Sequence, residues 1–273
     1  MKLISRNYDH YVNIPIKVDL TKHETYTFFI VYYINCELNK NYFEWLTNQL
    51  DLVKNMGTIH IIATISKKKE AGFKKKVLKL YPDVIIDCYS KNEYEYRGIL
   101  KVWELGQVHN KSTDIILYFH SKGVSRTERY IGPNPHEYEY TEILRDINKI
   151  KEIFDIFPTI DKIGILSGLN GIIWYNFWYA RGSYIYTVEE PIKTSRRHYY
   201  EDWLGRSLYD LHDTSDIERP IQHYKNTLNK CYAFHTDKKR IANIGTLFDS
   251  VTREFYNKVG KTRRLKRKLN KTI

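Results

Sequence analysis

The stretch Asp114-Ile115-Ile116-Leu117-Tyr118-Phe119-His120-Ser121-Lys122-Gly123 decides how the chain is read. From Ile115 to Phe119 it is apolar without interruption and rich in β-branched and aromatic residues. That pattern marks a strand buried on both faces, as in a parallel sheet covered by helices. The run then stops at His120, Ser121 and Lys122, and Gly123 permits a sharp turn. In open α/β sheets ligands collect beyond the carboxyl ends of the strands. A cation and two hydrogen-bonding side chains at this point suit an anion such as a phosphate. An ordinary polar strand end has the same composition, and spacing alone does not choose between the two.

Outward from this strand, the same alternation of strand and helix continues. Tyr26–Tyr33 reads as a strand, followed by a helix with Phe43, Leu46, Leu50 and Val53 on one face. Thr58–Ile65 is a buried strand, and Lys67–Leu80 a basic, exposed helix ended by Tyr81-Pro82. Asp83–Cys88 is a short strand, and Glu95–His109 a helix with Leu100 and Trp103 inward. Beyond the central strand come a helix at Tyr138–Phe157, a strand at Lys162–Ser167, an aromatic segment, a helix near Tyr199–Leu211, a strand at Cys231–His235 and a helix near Lys239–Val251. Alternation over the first 120 residues predicts parallel βαβ units, an α/β fold with a mainly parallel central sheet flanked by helices. No repeat or Gly/Ser linker divides the body, so residues 1–257 are expected to form one domain.

Composition narrows the class. The 42% hydrophobic fraction of 273 residues excludes a fibrous or wholly disordered chain. The longest apolar run, Phe28–Ile34, is far short of the roughly 18 residues that span a bilayer. The opening residues lack the apolar segment of a secretion signal. Cys36, Cys88 and Cys231 are scattered, without zinc spacing, and are expected to be reduced thiols in a cytoplasmic protein. Of the net charge of +12, residues 258–273 carry +8, so a basic C-terminal tail is set apart from a mildly basic body. That tail could touch an anionic surface, or be no more than a solvated terminus.

Three more constellations could carry chemistry. Tyr94, Glu95 and Arg97 open a helix after the third strand, where tyrosine can stack on a base and the charged pair can hydrogen-bond a ligand; a first-turn glutamate also favours the helix dipole with no ligand at all. In the segment Trp174–Gly182, Asn176, Phe177, Trp178 and Tyr179 suit stacking on a sugar ring, or a core cluster. Glu201 and Asp202, wrapped in aromatics, offer a carboxylate to a pocket as general base, or cap a helix. Neither a Walker loop nor G-x-G-x-x-G is present.

Tyr118-Phe119-His120-Ser121-Lys122-Gly123, Tyr94-Glu95-Tyr96 with Gly98 and Leu100, Asn176-Phe177-Trp178-Tyr179-Ala180 and Glu201-Asp202-Trp203-Leu204-Gly205 together resemble the small GT-A-fold glycosyltransferases of large DNA viruses and bacterial polysaccharide clusters. The resemblance covers roughly residues 26–210. It implies a Rossmann-like sheet binding a nucleoside diphosphate sugar, a UDP-sugar first, and transfer to a glycan or protein-linked acceptor; for a viral enzyme the compartment would be the host cytoplasm. On this reading Tyr33, Asn35, Tyr94, Glu95, Arg97, His120, Ser121 and Lys122 hold the donor, Asn176 to Tyr179 hold sugar, Asp202 is the base with Glu201 second, and Lys122 and His120 stabilise the leaving group. The base implies inversion. Many such enzymes carry Asp-x-Asp where this chain has His120-Ser121-Lys122, which leaves dependence on Mn2+ or Mg2+ open, with His120 and His235 as candidate ligands. A non-catalytic sugar-nucleotide or glycan-binding module, and a nucleic-acid-binding protein working through the basic tail, are the alternatives.

Overall fold

Nine residues, Thr27–Asn35, form strand β1 inside the sheet, and every one from Phe28 onward is buried. A computed structural model describes residues 24–121, 147–156, 161–164, 173, 176–205 and 231–233. On one side β1 pairs in parallel with β2 (Thr58–Thr64), and β2 pairs in parallel with β3 (Ile85–Tyr89). On the other it pairs in parallel with β4 (Asp114–His120), in a register that sets Val31 beside Tyr118 and Tyr33 beside His120. Burial on both faces explains why β1 and β4 read as unbroken apolar runs.

Beyond β4 the sheet departs from expectation. Trp178–Arg181, the aromatic segment, is strand β6; it lies antiparallel between β4 and β5 (Lys162–Gly164). β7 (Cys231–Ala233) follows, parallel to β5, so the order is β3-β2-β1-β4-β6-β5-β7. The fold is therefore α/β with a mostly parallel central sheet flanked by helices.

Helix α1 (Tyr42–Leu50) buries Trp45, Leu46 and Leu50, while Phe43 is half-buried. Helix α2 (Lys67–Leu80) is anchored by two buried side chains, Phe73 and Val77, one turn apart. Helix α3 (Tyr96–Val108) turns Ile99, Val102 and Leu105 inward, where Leu100 and Trp103 were expected. The phase is set by Gly98 and Gly106, which are buried on the same stripe and let the helix lie close to the sheet. Trp103 sits at the rim, its indole N–H donating to the Val188 carbonyl at 3.2 Å. Helix α4 (Ile147–Ile156) presents Ile150, Ile153 and Phe154 to the core. Two short helices, α5 (Gly182–Ile185) and α6 (Arg197–Asp202), and a 3-10 turn at Trp203–Gly205 complete the described elements. No described helix is long and apolar enough to cross a membrane. The expected first half of the helix at Tyr138–Phe157, the helix near Lys239–Val251, the boundary at 257 and the tail lie outside the described residues.

Candidate functional site

The order β3-β2-β1-β4 reverses direction between β1 and β4, and the carboxyl ends of those two strands border the crevice where ligands bind in such sheets. Tyr33 and Asn35 end β1; His120 and Ser121 end β4, with the Ser121 amide donating to the Tyr33 carbonyl at 3.0 Å. Alternation along the strands puts Tyr33, Tyr118 and His120 on the face that α3 covers. α3 comes unusually near. A Cβ on Gly98 would stand 2.8 Å from the Tyr118 hydroxyl and 2.9 Å from Tyr33 Cβ, so only glycine fits there without displacing the helix.

That approach brings Glu95, at the head of α3, into the crevice. Its Oε2 accepts hydrogen bonds from the Tyr118 hydroxyl at 3.2 Å and from Asn176 Nδ2 at 2.8 Å, and its Oε1 lies 3.5 Å from His120 Nδ1. The Tyr118 ring lies parallel to the His120 imidazole, 8° between planes. Burial, and after it the Glu95 charge, push the Tyr118 phenol well above its ordinary pKa. Burial does the same for Tyr33, whose hydroxyl pairs with Thr64 Oγ1 at 3.2 Å. Both phenols are therefore neutral hydrogen-bonding groups at physiological pH.

Asn176 joins this cluster to a second segment. It is one of two described non-glycine residues with positive φ, at 55°, a conformation asparagine tolerates better than most. Held so, its Nδ2 also donates to the Tyr200 carbonyl at 3.1 Å, and its Oδ1 accepts from Trp178 Nε1 at 3.4 Å. α6, which carries Glu201 and Asp202, is thus tied to the same carboxylate as His120. Glu201 is buried, and Asp202 is the more open of the two acids.

Around the rim, Tyr94 is the second positive-φ residue, at 54°, and its side chain is exposed. Its amide donates to Asn92 Oδ1 at 3.1 Å. Arg97 lies against the Tyr89 ring, 4.5 Å from its centroid, and donates from Nε to Glu93 Oε2 at 2.7 Å. Glu93 also accepts from Lys193 Nζ. Desolvation alone would raise the Glu93 pKa, but the Lys193 hydrogen bond and the Arg97 charge together outweigh it and hold the carboxyl below its ordinary range. Asn35 is buried and spends its Oδ1 on the Glu37 amide, at 3.1 Å, in the turn after β1.

Among the sequence candidates, Tyr33, Glu95, His120, Ser121 and Asn176 come together, with Tyr94 and Arg97 at the rim. The expected sugar platform does not form. Phe177, Trp178 and Tyr179 are fully buried, because β6 and the residue before it are interior to the sheet and both faces are covered. Asn176 is buried too, and its amide binds protein groups. Sequence reading missed Tyr118 as a ligand of Glu95, and it missed Glu93 and Lys193. The Glu93 and Arg97 spacing of four residues is the signal that could have found one of these. Lys162 was also missed: fully buried in β5, it donates to the Tyr184 hydroxyl at 2.9 Å and the Leu204 carbonyl at 3.3 Å, just after Asp202. Lys122 and His235 lie outside the described residues. Glu95 and His120 are two adjacent donors, but no group of three His, Cys, Asp or Glu side chains suited to a metal ion occurs among the described residues.

No family model matches the chain, and no curated protein matches it. Among solved structures it is similar to the mannosyltransferase PcManGT of Pyrobaculum calidifontis, determined in complex with GDP-mannose and Mn2+, at 6% identity and a TM-score of 0.38. The match covers 75% of this chain and 60% of that one, so the chain corresponds to less than two thirds of that enzyme's length.

Proposed function

We propose that the chain is a glycosyltransferase that moves a sugar from a nucleoside diphosphate sugar, with UDP-sugars the first donors to test, to a hydroxyl on a glycan or protein-linked acceptor. One observation carries this reading. Asn176 bonds Glu95 and the Tyr200 carbonyl at once, a tether between the acid-bearing helix α6 and the carboxylate beside His120 that supports their working together. The chemistry needs both halves. Displacement at the anomeric carbon leaves a diphosphate whose growing charge must be met, and the attacking hydroxyl must lose a proton on the opposite side of the ring.

On the leaving side, His120 and the Lys122 two residues beyond it carry the positive charge, while Ser121, Tyr94 and Arg97 hold the nucleotide. On the attacking side Asp202 takes the proton, being the more open acid, with Glu201 second; a base placed there gives inversion. A divalent ion such as Mn2+ or Mg2+, bound mainly through the diphosphate, would add to the charge opposite the leaving group. Of the described side chains Glu95 and His120 would be the ones to hold such an ion, His120 then acting as a neutral ligand and leaving the protein's positive charge to Lys122.

A thermal-shift screen over UDP-, GDP-, dTDP- and CMP-sugars, with and without manganese, tests the donor claim, because a ligand of the native state raises Tm. No shift with any donor overturns it. For the reaction, Asp202→Asn is expected to bind donor within about twofold of wild type and to lose about 100-fold or more in transfer rate. Wild-type transfer by that variant removes Asp202 from the mechanism. A donor that binds without hydrolysis or transfer across an acceptor panel would instead identify a binding module.

A further inference from the structure

The positive charge of this protein is concentrated in two places. Of the net +12, residues 258–273 supply +8, and α2, with seven lysines against one glutamate, supplies +6; everything else sums to −2. α2 is therefore a basic strip on an otherwise balanced body. Its lysines are also mostly uncommitted. Lys69 pairs with Glu37 at 3.0 Å and Lys74 with Glu70 at 2.7 Å, but Lys67, Lys68, Lys75 and Lys79 pair with no acid among the described residues, and all four are exposed.

The face that bears them has the shape of a contact surface. With Phe73 and Val77 turned inward, Ala71 and Gly72 lie on the exposed side, and a Cβ on Gly72 would meet nothing within 4 Å. The middle of the strip is thus low and open, between lysines at both ends. Leu78, 42% exposed, lies on this face beside Lys79, and Leu80, 52% exposed, closes the carboxyl end of the helix on the stripe begun by Phe73 and Val77. Lysines that reach anionic headgroups, with leucines among them to enter the acyl boundary, are the elements of an interfacial helix. Single-stranded nucleic acid favours stacking aromatics and arginine, and α2 exposes neither.

We infer that α2 is a docking surface for an anionic lipid bilayer. Its lysines give long-range attraction and orientation, and Leu78 and Leu80 give shallow insertion. The inference stands apart from the proposed transfer activity, which could fail without affecting it.

The test uses the full-length protein and vesicles of phosphatidylcholine with or without phosphatidylserine, at 0.15 M salt, with binding read by co-sedimentation. Wild type should bind only the vesicles that contain phosphatidylserine. Replacing Lys67, Lys68, Lys75 and Lys79 together by glutamine should weaken binding at least about 100-fold, since each lysine near such a surface is worth about fivefold. Replacing Lys40, Lys54, Lys91 and Lys111 by glutamine removes the same charge elsewhere and should cost less than about tenfold. Leu78→Ser with Leu80→Ser, leaving all charge in place, should cost about tenfold. Equal losses for the two lysine variants, or no binding by wild type, overturn the inference. So does unchanged binding of the leucine variant together with displacement from vesicles by single-stranded RNA, which would mark α2 as a general polyanion surface.

Discussion

Removing the Glu95 carboxylate would leave the Tyr118 hydroxyl and Asn176 Nδ2 without the oxygen that both bond, and both of those side chains are fully buried. A buried donor stripped of its acceptor costs about 1–3 kcal/mol. Glu95→Ala is therefore expected to lower stability by about 2–4 kcal/mol in urea unfolding, allowing for partial rescue of Asn176 by the Tyr200 carbonyl. Glu95→Gln keeps an acceptor oxygen and should lose less than half of that. Equal losses would mean that the charge on Glu95, rather than its hydrogen bonds, holds the cluster. This residue was legible as a candidate because it follows β3 directly, at a carboxyl end. Its partners were not. Tyr118 and Asn176 are 23 and 81 residues away, and nothing local in either segment announces so distant an acceptor.

The elements of the first 120 residues were readable because each strand is an apolar run bounded by polar turns and each helix carries its own apolar spacing. The phase of α3 was not, since the decisive residues were glycines. Glycine contributes nothing to hydrophobic periodicity, yet Gly98 sets how near the helix comes. Gly98→Ala tests this directly. Alanine favours a helix interior over glycine by about 1 kcal/mol, but its methyl would overlap Tyr118 and Tyr33, which are fixed in the core, and overpacking of that kind costs about 1–3 kcal/mol. A net destabilisation of about 0–2 kcal/mol is expected from urea unfolding, with weaker donor binding because Glu95 rides on the displaced helix. A variant more stable than wild type would show that the contact yields easily. β6 escaped sequence reading for a different reason: Trp178, Tyr179 and Ala180 have the same composition whether they line a pocket or fill a core. Only the sheet order settles that they fill the core.

Along the chain, the net charge and the candidate site residues fall in different segments. The crevice lies at the carboxyl ends of β1 and β4, whereas residues 258–273 contribute +8 of the net +12 without any apolar spacing that suggests a tie to the core. Truncation after Asn257 is expected to leave donor affinity within about twofold by calorimetry, while lowering the net charge from +12 to +4 and shortening retention on a cation exchanger. Loss of donor binding in a folded truncated protein would place the tail in the site. The position of β6 has a further consequence during synthesis. The four strands β3-β2-β1-β4 are complete once His120 has emerged, and all of their pairings lie within residues 27–120. β4 then offers the nascent chain an open row of amides and carbonyls flanked by Ile115, Leu117 and Phe119, until Trp178–Arg181 arrives to close it. For that interval a fully buried, strongly apolar strand is a template for any extended segment nearby, and slower translation between His120 and Arg181 is expected to raise the fraction lost to mispairing.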